Sequence, residues 1–193
     1  MDALKIWYIH GANASPISFS FIKQNARAHR HEDISYSHDV PLIDTVNDLR
    51  CRAALESEPL AIVGHSLGGV IACAVAQGGA VKKVATLSSP FGGSNAASLL
   101  RWFTRSQLMA DITPTSSVMT SLRLKPPQIP ILSVVTDPNI DTMGERGDGV
   151  VTVASQMALI GPVYQIENLN HFEVLLSSRV AAGIDRFIWG ETG

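Results

Sequence analysis

Charge is scarce in this chain, and neither sign dominates. Lysine and arginine number 15 against 17 aspartate and glutamate, a net charge of −2, and charged residues make up 17% of the sequence. That balance gives no electrostatic footing for nucleic acid or an acidic membrane surface. No apolar run approaches the roughly 18 residues of a membrane span. Cysteine occurs only at Cys51 and Cys73. Both fall in predicted helices, which reads as buried thiols in a reducing compartment. There is no Cys/His cluster for zinc and no glycine-rich phosphate loop after the first strand, so neither metal nor cofactor is expected. The start, Met1-Asp2-Ala3-Leu4-Lys5, runs straight into a strand pattern without the basic and apolar regions of a signal peptide. The expectation is a cytoplasmic protein with no integral membrane segment.

What is present is core. Hydrophobic residues are 46% of 193, enough for one domain over 1–193. Short apolar runs at Leu4–Ile9, Ile34–Ser37, Leu60–Val63, Lys83–Ser88, Ile129–Thr136 and Val163–Ile166 predict strands. They are nearly continuous rather than alternating, as in parallel strands covered on both faces. Helices are predicted at about Ser18–Ala28, Asp44–Ser57, Leu67–Gln77 and Ser177–Trp189. In the second, Val46, Leu49 and Ala53 form one stripe; in the last, Val180, Ile184 and Phe187 do. The β-α alternation implies an α/β fold of about six mostly parallel strands with right-handed crossovers. One stretch breaks the rhythm: about forty residues between Ser89 and Gln128 show no strand. Such insertions are commonly lids or binding elements, and a helical insertion or lid is expected over roughly 92–128, with an enlarged crossover completing the core as the alternative.

The most informative segment is Gly64-His65-Ser66-Leu67-Gly68-Gly69. It joins the buried strand Leu60-Ala61-Ile62-Val63 to the apolar helix that starts near Leu67. Gly-x-Ser-x-Gly in that context is a nucleophile elbow. The turn is tight enough that side chains two positions either side of the serine would strike backbone, and glycine removes them. Ser66 Oγ then stands at the carboxyl edge of the sheet, near the positive end of a helix.

A serine hydroxyl needs a general base, and the base an orienting acid. On a parallel sheet these converge at the carboxyl ends of strands. His171, in Asn168-Leu169-Asn170-His171-Phe172 after the last strand, fits the base. His29, His31 and His38 lie in polar stretches and read as solvated; His65 sits inside the elbow, its side chain aimed away from the cleft. For the acid, Asp148 in Arg146-Gly147-Asp148-Gly149 leads, and Asp137, nearer the strand end, is the fallback. Oxyanion donors are expected from the backbone N–H of Leu67 and, in the loop His10-Gly11-Ala12-Asn13, of Ala12. The spacing from Asp137 to Asp148 partly matches a calcium loop, but Thr142 stands where the sharp turn needs glycine and the terminal ligand is Asp rather than Glu, so calcium is not expected.

Together these residues resemble the α/β-hydrolase superfamily over nearly the whole chain. Gly64–Gly68 is similar to its elbow, His10-Gly11 to its oxyanion loop, and Ser66, Asp148 and His171 follow its order. Asp148-Gly149-Val150-Val151 and the stretch Thr86–Ser94 resemble the small lipase and esterase branch, with Phe91 standing where histidine is common there. The resemblance implies a minimal hydrolase fold and cleavage of a carboxylic ester through an acyl-enzyme, its partner a small-molecule acyl ester. A thioesterase with the same machinery, or a non-catalytic binding protein, is the alternative. Leu99, Trp102, Phe103 and Met109 would then line the acyl side.

Overall fold

The computed structural model describes residues 4–27, 29–93, 111–142, 144–159 and 163–190. Its strands are β1 (Lys5–Ile9), β2 (Arg30–Ile34), β3 (Leu60–His65), β4 (Val81–Leu87), β5 (Ile131–Thr136), β6 (Ile140–Thr142), β7 (Glu145–Gly147) and β8 (Val163–Glu167). Its α-helices are α1 (Ser20–Asn25), α2 (Leu42–Ala54), α3 (Leu67–Ala76), α4 (Ser117–Leu124), α5 (Val153–Met157) and α6 (Ser178–Trp189). Six strands form one sheet in the order β2-β1-β3-β4-β5-β8, every neighbouring pair parallel. β6 and β7 make a separate antiparallel hairpin.

Alternate side chains of each strand point to opposite faces, and two cores result. Trp7, Ile9, Leu60, Ile62 and Val84 pack with α2, α3 and α4. Ile6, Tyr8, Ala61, Val63, Leu87, Leu132 and Val134 pack with Phe19, Ile22 and the apolar stripe of α6. Each such large side chain contributes about 1.5–3 kcal/mol by leaving water. Helix α3 lies so deep that all 10 of its residues are buried. Among the described residues no helix is long and apolar enough to cross a membrane.

The interior strands and long helices lie where the periodicity places them. The second strand does not: it is Arg30–Ile34, not Ile34–Ser37. As an edge strand it keeps only Ile34 fully buried and exposes Arg30, His31 and Asp33, so it has no apolar run to read. The other edge, β8, exposes Tyr164 and Ile166, against the expectation of two covered faces. Cys73 is buried, but Cys51 is exposed, because it faces outward on α2. Of the described residues in the 92–128 insertion, Ile112, Val118, Met119 and Leu122 are buried in the core that α3 joins, while Leu124 is exposed.

β1 is flanked by β2 on one side and β3 on the other, so the chain reverses direction across the sheet between β1 and β3. Ligands of open α/β sheets bind at the carboxyl ends of strands at such a switch point. The loops after β1 and β3 carry His10-Gly11 and Ser66.

Candidate active site

Ser66 sits at φ 53°, ψ −122° between β3 and α3, a conformation that costs roughly 1–3 kcal/mol in a non-glycine residue. The neighbours explain how it is held. A Cβ on Gly64 would lie 2.3 Å from Gly68 O, and one on Gly68 only 2.0 Å from Ile9 O. Both obstacles are backbone, so only glycine allows the turn to close against β1. Ser66 N–H donates to Leu87 O at 2.8 Å, which ties the turn to β4. Gly69 has a separate reason: a Cβ there would stand 1.9 Å from Ser89 Oγ.

His171 and Asp148 meet, both buried. His171 Nδ1 lies 2.8 Å from Asp148 Oδ2, and His171 N–H donates to Asp148 O at 3.2 Å. Asp148 Oδ1 accepts the N–H groups of Val150 at 2.9 Å and Val151 at 2.7 Å. Burial alone would push this carboxyl up. The hydrogen bond and charge of His171, the Thr136 hydroxyl and the Val151 N–H outweigh it and hold Asp148 below the usual carboxylate value. An anionic carboxylate accepting from Nδ1–H leaves His171 Nε2 as the free, basic nitrogen.

Asp137, the fallback acid, is engaged elsewhere. Arg146 grips both its oxygens, Nε on Oδ1 at 2.7 Å and an amino group on Oδ2 at 2.6 Å. The segment that partly matched a calcium loop is the β6–β7 hairpin, with Asp141 Oδ1 accepting the Gly144 N–H at 2.6 Å.

His65 does more than its position in the motif suggested. Its ring is buried, its Nε2 lies 2.8 Å from His171 O, and the two rings are 4.8 Å apart. Because only an N–H can meet a carbonyl, His65 carries its proton on Nε2. Nδ1 is buried without a partner. Burial first, then the neighbouring His171, push the His65 imidazole down to about 3. It is therefore a neutral clasp joining the strand that bears Ser66 to the loop that bears His171. Hydrogen bonds join His171 to Asp148 and His65 but not to Ser66 Oγ. Such pairs commonly tighten only with substrate bound.

The loop after β1 lies against the elbow: a Cβ on Gly11 would be 3.1 Å from both Ser66 Cβ and His65 Nδ1. It is braced from behind. His10, buried, holds Gly11 O through Nδ1 at 2.8 Å and stacks on Tyr36 at 4.7 Å and 12°. Tyr36 hydroxyl donates to His10 O at 3.0 Å. Asn13, at φ 54°, donates its N–H to His38 Nε2 at 3.3 Å. His38 and His29 are thus half-buried and bonded rather than solvated. No hydrogen bond within the described residues engages the N–H of Ala12 or Leu67. Beside His171 a cavity of about 220 Å³ is lined by Asp148, Gly149, Val150, Asn170 and Phe172. Leu99, Trp102, Phe103 and Met109 lie outside the described residues. No group of three or more possible metal ligands occurs among the described residues.

No family model and no curated protein matches the chain. Solved structures do. The lin2722 gene product of Listeria innocua superposes with a TM-score of 0.69 at 15% identity, covering 100% of this chain and 96% of its own. Bacillus licheniformis lipase BlEst2 in its mature form gives 0.68 at 17%, covering 93% and 89%. A pyrethroid hydrolase from Sphingobium faniae gives 0.66 at 18%, covering 97% and 98%. At such identities the likeness is one of fold, and the fold is that of the α/β hydrolases.

Proposed function

We propose that this protein is a serine hydrolase that cleaves a carboxylic ester through an acyl-enzyme. The observation that carries the reading is the buried His171–Asp148 pair, 2.8 Å apart, clasped through His65 to the strand whose strained end presents Ser66. A chain that only bound a ligand would have no physical need for that combination. The lipase and the pyrethroid hydrolase among the structures of like fold agree with this class.

In this reading His171 Nε2 takes the Ser66 proton as Oγ attacks the substrate carbonyl carbon. The oxyanion that forms is met by the N–H groups of Ala12 and Leu67, the latter opening α3. The carbon–oxygen bond to the alcohol then breaks as His171 passes its proton to the departing oxygen. Water, deprotonated by the same imidazole, releases the acid and restores Ser66. Asp148 remains an anion throughout, orienting His171 and offsetting its transient charge. The acyl side is assigned from sequence to Leu99, Trp102, Phe103 and Met109.

A fluorophosphonate probe tests the reading. It is expected to label the parent protein at one site and to leave Ser66→Ala unlabelled. Equal labelling of both would remove Ser66 from the mechanism.

A further inference from the structure

Asp148 Oδ2, the oxygen that faces His171, also lies 2.6 Å from Thr136 Oγ1 and 3.4 Å from Gln156 Nε2. Thr136 is the last residue of β5 and wholly buried. Gln156 brackets it: Oε1 accepts the Thr136 N–H at 2.9 Å, and Nε2 donates to Thr136 O at 3.0 Å. A third hydroxyl completes the arrangement. Ser88 Oγ stands 2.8 Å from Thr136 Oγ1, and Ser88 is wholly buried with φ 53°.

Proton counting orders the chain. Neither a carboxylate nor an amide oxygen can donate to the hydroxyl, and of the two such acceptors Asp148 Oδ2 at 2.6 Å is anionic and much nearer than Gln156 Oε1 at 3.2 Å, so the single Thr136 hydroxyl proton goes to Asp148. The 2.8 Å contact then requires Ser88 to donate to Thr136. Ser88 O–H, Thr136 O–H and the Asp148 carboxylate form a directed line that ends on the same oxygen, Oδ2, as the His171 Nδ1–H. Each link polarises the next.

We propose that Thr136, backed by Ser88, is a positioning residue that holds Asp148 Oδ2 toward His171 and sets the basicity of that imidazole. This rests on the triad reading given above. The Thr136 hydroxyl draws charge from the carboxylate oxygen that His171 uses. Imidazolium is therefore stabilised less than a bare carboxylate would stabilise it, and His171 stays available as a neutral base to lower pH. Among the described residues, the titratable groups facing His171 are Asp148 from the loop after β7 and His65 from β3. His65 is uncharged above about pH 3, so Asp148 alone transmits the effect.

The test is kcat and KM against pH with a soluble p-nitrophenyl ester, for the parent, Thr136→Val, Thr136→Ser and Ser88→Ala. Thr136→Val keeps the side-chain shape and removes the donor. It is expected to lower kcat roughly tenfold to a hundredfold through loss of aim, to leave KM unchanged, and to move the acidic limb of kcat/KM to higher pH. Thr136→Ser is expected to restore both, and Ser88→Ala to shift the limb in the same direction by less. A Thr136→Val protein with the parental limb, or Thr136→Ser impaired as much as Thr136→Val, overturns the proposal. If Thr136→Val does not fold, Ser88→Ala decides: a parental limb there overturns it equally. Ser66→Ala and Asp148→Asn separate the two levels of argument. Retained hydrolysis in Ser66→Ala sinks the triad reading and this inference together. Loss in both controls beside a parental Thr136→Val sinks the inference alone.

Discussion

Ser66 and Ser88 each follow the last residue of an interior strand, and both have φ 53°. Each gives its N–H to the next strand, Ser66 to Leu87 O at 2.8 Å and Ser88 to Val134 O at 3.0 Å. The residues around them differ. Ser66 has glycine two places before and after, and α3 begins at once with Leu67. Ser88 has Thr86 before it and Ser89-Pro90 after it. Proline offers no N–H, and residues 89–93 form no helix. The first turn therefore closes tightly against β1, and in the reading proposed above its hydroxyl is the nucleophile, whereas the second holds its hydroxyl on Thr136. The same local strain serves two ends, and the following residues decide which.

The largest expected difference between the two turns is in turnover. Ser66→Ala should lower ester hydrolysis by roughly four to six orders of magnitude, leaving only binding and oxyanion stabilisation. Ser88→Ala should leave most of the activity. Comparable losses in the two variants, measured as kcat/KM on folded protein, would erase the distinction.

A second comparison sharpens the acid side. Asp148→Asn should lower kcat by roughly two to four orders of magnitude, because His171 loses its orienting charge. Asp137→Asn weakens the pair with the exposed Arg146 and touches the hydrogen bond from Asn139 N–H, but takes no partner from His171, so turnover should stay within about twofold of the parent. The reverse ranking would transfer the acid role to Asp137.

How much of this was legible follows from where each signal resides. The elbow is a local device: its glycines, strand and helix are contiguous, and the clash of a Gly68 Cβ with Ile9 O is implied by the motif. Asp148 is distinguished locally too, since its flanking glycines allow the turn that lets Oδ1 take two N–H groups. Thr136, Ser88 and His65 are different. Thr136 meets Ser88 from 48 residues away, and His65 meets His171 from 106 away. A threonine ending an apolar strand looks like any other, so only the folded neighbourhood gives it a partner. Edge strand β2 lies off its expected place for a related reason: with one neighbour and a wet face it has no hydrophobic signature, while its pairing with β1 is non-local.

Steric demand separates the turns further. Gly68→Ala would set a Cβ against the backbone of Ile9 and His10, and backbone cannot rotate away. Overpacking at a buried site costs about 1–3 kcal/mol and occasionally more. Thermal unfolding should show a Tm lowered by several degrees together with lost activity, since the turn must open to relieve the clash. An unchanged Tm would mean that β1 and α3 are farther apart than the structure places them. The Ser88 turn, with no glycine within two residues, imposes no such demand.

The smallest effect concerns what lies just before each serine: apolar Leu87 before Ser88, but His65, buried and titratable, before Ser66. Folded His65 stays neutral down to about 3, chiefly through burial. In the unfolded chain a histidine takes up its proton near 6.5. Between those values the unfolded state binds more protons than the folded one, so stability falls as pH falls, by up to about 1.4 kcal/mol per pH unit for this group. His10, also lowered mainly by burial, acts with the same sign. Asp148, held below the usual carboxylate value, also loses its contribution on acidification, but only around and below its unfolded value of about 3.9. The window from pH 6 to 4.5 therefore belongs to the histidines. His65→Gln lacks the titrating ring. Its unfolding free energy, from urea titrations at several pH values, should be lower than the parent's at pH 8, where the clasp is weakened, yet fall less steeply between pH 6 and 4.5. Parallel curves for parent and variant would show that His65 takes up its proton in the folded protein as readily as in the unfolded chain, and that the clasp under the Ser66 turn is not the neutral one its geometry describes.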